Sequence, residues 1–125
     1  MVLLDTHALL WMLFDDGKLS PDAVAALRDA LCCVSIASIW ELAIKTSLGK
    51  LKLPKSLREI ASECLSMGIV ILDITVEDCI CLKDLPWIHK DPFDRIIIAQ
   101  AVTGHMPLVT HDGNIRRYDA VDIIW

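Results

Sequence analysis

No stretch of this 125-residue chain is long and apolar enough to suggest a membrane span. The longest segment free of Asp, Glu, Lys and Arg covers residues 96–111, 16 in all, and is broken by Gln100, Thr103, Gly104, His105 and Pro107. A span needs about 20 predominantly apolar residues. No secretory leader is expected from Met1-Val2-Leu3-Leu4-Asp5, which has no basic start and an acid at position 5. A cytoplasmic protein without membrane contact is therefore expected. Zinc-binding patterns are absent: Cys32, Cys33, Cys64, Cys79 and Cys81 contain no CxxC pair, and His7, His89, His105 and His111 form no HxxxH. The five thiols are expected to be reduced and buried. No repeat, low-complexity tract or Ser/Gly-rich linker divides the chain, so residues 1–125 read as one domain.

What the chain has in excess is apolar surface. Hydrophobic residues make up 54% of it, the mean hydropathy is +0.50 and the net charge is −5. Such a composition excludes disorder. The surplus beyond a small core points to a protein interface, as a homodimer or with a tightly held partner.

Two kinds of segment alternate. Strand-length apolar runs end in a polar residue: 2–4 before Asp5, 32–34 before Ser35, 69–72 before Asp73 and 108–109 before Thr110, with 121–125 closing in the same style. Helical patterns lie between them, over 6–14, 21–31, 36–48, 55–67, 76–85 and 92–103. Ser20-Pro21 marks one helix start, and Gly49, Gly68 and Gly104 mark helix ends. Unbroken apolar strands separated by helices predict an α/β fold, a three-layer α/β/α sandwich around a central parallel sheet. In such sheets, ligands collect beyond the carboxyl ends of the strands.

Acids stand at those ends. Asp5 follows the first strand, Asp112 follows the 108–110 run after one histidine, Glu41 lies about two turns into the helix after Ser35, and Asp94 is in the first turn of the helix from Pro92. Converging carboxylates raise one another's pKa unless a cation sits among them. Mg2+ or Mn2+ suits an all-oxygen set. Such an ion can acidify and orient a water and stabilise charge on a phosphoryl group, which fits phosphodiester hydrolysis. Structural duties compete with this reading. Asp91-Pro92-Phe93-Asp94 has the form of a helix start, Glu41 and Lys45 form an i,i+4 pair, and Asp5 and Asp112 can each cap the element after them.

Several of these stretches occur together elsewhere. Leu3-Leu4-Asp5-Thr6-His7, Ser35-Ile36-Ala37-Ser38-Ile39-Trp40-Glu41 with Lys45, Gly49-Lys50-Leu51, His89-Lys90-Asp91-Pro92-Phe93-Asp94-Arg95 running into Ile98-Ala99-Gln100-Ala101, and Leu108-Val109-Thr110-His111-Asp112 follow in that order. In this the chain resembles PIN-domain proteins, and within them the VapC-type toxins of bacterial and archaeal toxin–antitoxin pairs. The resemblance implies a PIN fold, Mg2+ or Mn2+ dependence, endoribonuclease activity, inhibition by a small cognate antitoxin and usually a homodimer. Asp5, Glu41, Asp94 and Asp112 match the family's acidic quartet as catalytic and metal-holding residues. Asp94 rather than Asp91 takes the metal position, which leaves Asp91 as a helix cap or supporting acid. Thr6 and Thr110 fall where the family often places hydroxyls beside the carboxylates.

Water activated by the cation would attack in line with the 3′ oxygen as leaving group. A route through the RNA's own 2′-OH would instead need a histidine pair, for which His7 and His111 are the candidates. Lys45, Lys50, Lys52, Lys55 and Arg58 fall within 14 residues that contain no acid, and Arg116-Arg117 is a second basic spot. Lys45, Lys50, Arg95 and Arg116 are the RNA-contact candidates, with a solvated surface as the plain alternative. Trp11, Trp40, Trp87 and Trp125 are possible base-stacking platforms. Trp40, in a dense apolar helix, is expected in the core or a dimer interface, and the apolar first helix and the 36–48 helix are assigned to partner contacts. The rival functions are a non-catalytic α/β binding module, a receiver-type phosphoacceptor domain and a DNA-directed nuclease.

Overall fold

The computed structural model describes residues 1–125. Five parallel strands, β1 (Val2–Leu4), β2 (Cys32–Ser35), β3 (Val70–Leu72), β4 (Leu108–Val109) and β5 (Ile123–Ile124), form one sheet in the order β3-β2-β1-β4-β5. Six helices connect them: α1 (Thr6–Phe14), α2 (Pro21–Asp29), α3 (Ile36–Ser47), α4 (Leu57–Ser66), α5 (Val76–Asp84) and α6 (Pro92–Thr103). Leu3 pairs with Cys33 on one side and Leu108 on the other, which makes β1 the central strand.

Alternation along β1 divides the core. Leu3 packs with residues of α6 and with Leu85, Ile115 and Tyr118 on one face. Val2 and Leu4 pack with Ala8, Leu9, Ala23, Ile60 and Cys64 of α1, α2 and α4 on the other. Both faces are covered, as the uninterrupted apolar strands predict, and the three-layer architecture is observed. The chain runs outward from β1 through β2 to β3, then crosses back to β4 on the opposite side of β1. The order therefore reverses between β1 and β4, and the crevice of such a sheet opens beyond the carboxyl ends of those two strands.

Local chemistry sets the helix starts. The Ser20 hydroxyl accepts from the Ala23 N–H, the Ser35 hydroxyl from Ala37, and Thr75 with Asp78 forms a reciprocal capping box. Gly49 and Gly68 turn the chain with φ of 69° and 75°. Gly104 departs from the expected pattern. It keeps a right-handed φ of −87°, and His105 takes the positive φ of 50° instead. What position 104 requires is space, because a Cβ there would lie 2.7 Å from Met106 Cε and 3.1 Å from the Gln100 carbonyl oxygen.

Two expectations need correction. Cys32, Cys33 and Cys64 are buried, but Cys79 is exposed and Cys81 only half-buried. Burial pushes the Cys33 thiol up to about 11. Trp40, expected in the core or a dimer interface, is not in the core. The inward stripe of α3 is Ala37, Ser38, Glu41 and Leu42, and Trp40 is 57% exposed, edge-on to Phe93 at 5.1 Å.

Candidate metal centre

Asp5 is the first residue past β1 and also the N-cap of α1, where its Oδ1 accepts from the Ala8 N–H at 2.7 Å. Its other oxygen accepts from the Thr110 hydroxyl at the end of β4, and that hydroxyl in turn accepts from the Asp112 N–H at 3.0 Å. One threonine thus joins two acids across the point where the strand order reverses. Asp5 is almost wholly buried, and burial lifts its carboxyl above the ordinary range despite both hydrogen bonds.

Glu41 reaches the site because α3 turns a polar part of its inner stripe toward α1. The Thr6 hydroxyl donates to Glu41 Oε1 at 2.7 Å and lies 2.9 Å from Ser38 Oγ. Lys45 Nζ, one turn on, sits 2.8 Å from Glu41 Oε2. This contact raises the lysine's pKa and commits its ammonium to the carboxylate. Asp91 caps α6, accepting from Phe93 and Asp94 N–H groups at 2.8 and 3.0 Å. Asp112 Oδ1 accepts from Asn114 and Ile115 at 2.8 and 2.9 Å.

Asp94 does no such work. No backbone N–H donates to its carboxylate, which faces His89 Nε2 at 2.9 Å. Burial and then the charges of Asp91, Glu41, Asp112 and Asp5 push its carboxyl up to about 8. The charges of four further acids thus act on this one group.

The tightest cluster is His89, Asp94 and Asp112, whose side-chain donor atoms lie within 4.8 Å of one another. Sequence reasoning gave His89 no role. It is a buried residue whose Nδ1 accepts from the Asp91 N–H at 3.2 Å and whose Nε2 lies 3.4 Å from Asp112 Oδ1. Although close to two carboxylates, Nε2 makes no directional hydrogen bond to either. The available signal was position, two residues before the cap of an acid-bearing helix.

Arg95 is a correction to the RNA-contact candidates. It is buried, and its guanidinium donates to the carbonyls of Leu82, Leu85 and Pro86 and to the Tyr118 hydroxyl, with Trp87 stacked over it at 4.0 Å. Tyr118 also accepts from the His89 N–H at 2.9 Å. Arg95 and Tyr118 therefore hold the loop that presents His89, and no face of Arg95 is free for a phosphate. Lys50 and Arg116 are exposed, and Lys50 lines a cavity of about 410 Å3 with Thr6, His7, Trp11 and Lys45. A second cleft, of about 220 Å3, is lined by Asp5, His7, Trp11, His111 and Asp112.

Among these acids only Glu41 is paired with a lysine or arginine, while Asp94 and Asp112 share His89. A carboxyl that burial and the charges of neighbouring acids lift to about 8, with Asp112 and His89 donor atoms within 4.8 Å of it, is a place that a cation would stabilise. The donor set fits a divalent cation held chiefly by oxygen.

A doubly covered parallel sheet with a cluster of acids beyond the reversal between its central strands defines an α/β protein whose acids could hold a cation. The PIN domain family model matches residues 2–121, so the chain belongs to the PIN domain family. No curated protein of similar sequence is found. Among solved structures, the chain is similar to VapBC2 from Rickettsia felis bound to a promoter DNA fragment, with TM-score 0.72 and 15% identity over 98% of this chain and 97% of that one. FitAcB from Neisseria gonorrhoeae gives TM-score 0.67 and 19% identity over 98% and 96%. A toxin–antitoxin complex from Klebsiella pneumoniae gives 0.65 and 18% over 97% and 95%. These likenesses show the fold.

Proposed function

We propose that this protein is a metal-dependent endoribonuclease of VapC type, a toxin that hydrolyses RNA phosphodiester bonds and is restrained by a small antitoxin. The observation that carries the reading is Asp94. Helix capping accounts for Asp5, Asp91 and Asp112 in a binding module without catalysis, but it leaves a half-buried acid with no backbone donor and a carboxyl raised to about 8. Membership of a nuclease family gives that acid a reason to be there.

In this reading Asp5, Asp94 and Asp112 hold Mg2+ or Mn2+ directly or through water, and Glu41 completes the set. The bound ion supplies an activated water and stabilises charge on the phosphoryl group. Thr110 fixes Asp5 relative to Asp112, and Thr6 with Lys45 fixes Glu41. Lys50 and Arg116 track phosphates of the RNA. The partners rest on exposed apolar surface: Trp40, Val76, Ile80 and Trp87 are all exposed, and Trp40 lines an apolar groove of about 370 Å3 with Leu82 and Phe93. A homodimer and an antitoxin would cover such surface, and a toxin–antitoxin complex is among the structures the chain is similar to. No helix is long and apolar enough to cross a membrane, in keeping with action in the cytoplasm.

Cleavage of total RNA by antitoxin-free protein with Mn2+, with Mg2+ and with EDTA tests the reading, beside Asp94→Asn. Metal-dependent cuts lost in the variant, with its melting temperature undiminished, are expected. No cleavage by folded protein, and no stabilisation by either ion, would leave a binding module.

A further inference from the structure

Four rings gather at the edge of the acidic cleft. Trp11 lies 5.8 Å from His7, 6.1 Å from His111 and 5.5 Å from Trp125, and His111 lies 5.2 Å from Trp125. They come from three separate parts of the chain: α1, the loop after β4, and the residue after β5. The sheet order brings those parts together, since β4 lies between β1 and β5 and all three strands point their carboxyl ends the same way.

The core alone does not explain this gathering. Trp11 and Trp125 are half-buried, while His7 and His111 are exposed. The interplanar angles lie between 39° and 58°, so the rings do not stack face to face on one another. Aromatic residues are scarce in this chain, at four Trp, two Phe and one Tyr, yet two of the tryptophans are here. His7, Trp11 and His111 line the same cleft as Asp5 and Asp112. On the other side, His7 and Trp11 also line the cavity that holds Lys45 and Lys50. Acids that can take a cation, aromatic faces and a free lysine thus lie along one continuous surface.

We infer that His7, Trp11, His111 and Trp125 form a nucleobase-stacking subsite for single-stranded RNA, seating a base next to the phosphate at the metal centre. Aromatic faces hold unpaired bases with little regard to sequence, and a lysine beside them meets the neighbouring phosphate. Lys50 has that role here, because the Lys45 ammonium is committed to Glu41. The subsite rests on the nuclease reading and adds to it the recognition of an unpaired base.

The test measures binding of two labelled probes in EDTA: a pool of random-sequence decaribonucleotides, and the same backbone carrying abasic sites. All proteins carry Asp94→Asn to prevent cutting. Adding Trp11→Leu or His111→Ala is expected to weaken the base-bearing probe roughly tenfold and leave the abasic probe unchanged. Adding Trp11→Phe, which keeps a ring, is expected to stay within about threefold of the parent. His111 is exposed, so His111→Ala carries the test should Trp11→Leu fail to fold. Equal binding of base-bearing RNA by parent and variants, or equal weakening of both probes, would overturn the subsite and leave the rings to a protein partner. Cleavage of total RNA by the unsubstituted protein with Mn2+ is measured alongside. Cleavage together with binding indifferent to the rings overturns the subsite alone, whereas neither cleavage nor RNA binding overturns the nuclease reading with it.

Discussion

Asp94 holds its proton more tightly in the folded protein than in the unfolded chain, because burial and four neighbouring acids lift its carboxyl to about 8. A raised carboxyl makes its full contribution to folding at low pH and loses it as pH rises through the folded value. Without metal, stability should therefore decline between about pH 4 and pH 8. Asp94→Asn removes that titration and should make the metal-free protein more stable near pH 7.5 by about 1–3 kcal/mol, with a flatter pH profile. Urea unfolding in EDTA at several pH values checks this, and a less stable variant would show that Asp94 serves the fold. The acids were legible in the sequence because each follows a strand or opens a helix, where local pattern fixes its place. His89 and Arg95 were not. Their surroundings come from Tyr118, 29 and 23 residues away, and from a loop folded back over α6.

At the scale of elements, binary pattern gave every strand and α-helix to within a few residues, because hydrophobic period and capping chemistry are local. What it missed depends on which way an element faces. Helix α3 reads as apolar throughout, yet its inner stripe carries Ser38 and Glu41 while Trp40 points outward. A helix that lines a site buries polar groups, and apolar periodicity alone misassigns its face. The end of α6 is a second case. Glycine at 104 suggests a left-handed turn, but the position is constrained by Met106 and the Gln100 carbonyl oxygen. Met106 is itself buried, with its sulfur 3.5 Å from Cys33 Sγ. Gly104→Ala should therefore displace a packed side chain and lower stability by about 1 kcal/mol, despite alanine's better helix propensity. A lower urea midpoint with an unchanged slope is the expected result, and an unchanged midpoint would mean that Met106 yields freely.

For the whole molecule, the sheet order decides where chemistry can happen. β1 and β4 are far apart in sequence and adjacent in space, so Asp5 and Asp112 meet only when the chain has closed. Folding thus assembles mutually repelling acids, and a divalent cation that binds only this assembled state must stabilise it by mass action. At a concentration 100-fold above its dissociation constant, such an ion contributes about 2.7 kcal/mol. For a chain of this size that is a rise in melting temperature on the order of 10 °C. If Asp94 is a ligand as proposed, the increment should grow with pH, because the ion would compete with the proton of a carboxyl raised to about 8. Metal and pH therefore act in opposite directions on one protein: raising pH destabilises it in EDTA and strengthens its stabilisation by Mn2+. Asp94→Asn should lose both responses together. Melting curves across pH with and without Mn2+, for both proteins, would show this, and a metal increment that survives in the variant would place the cation away from Asp94.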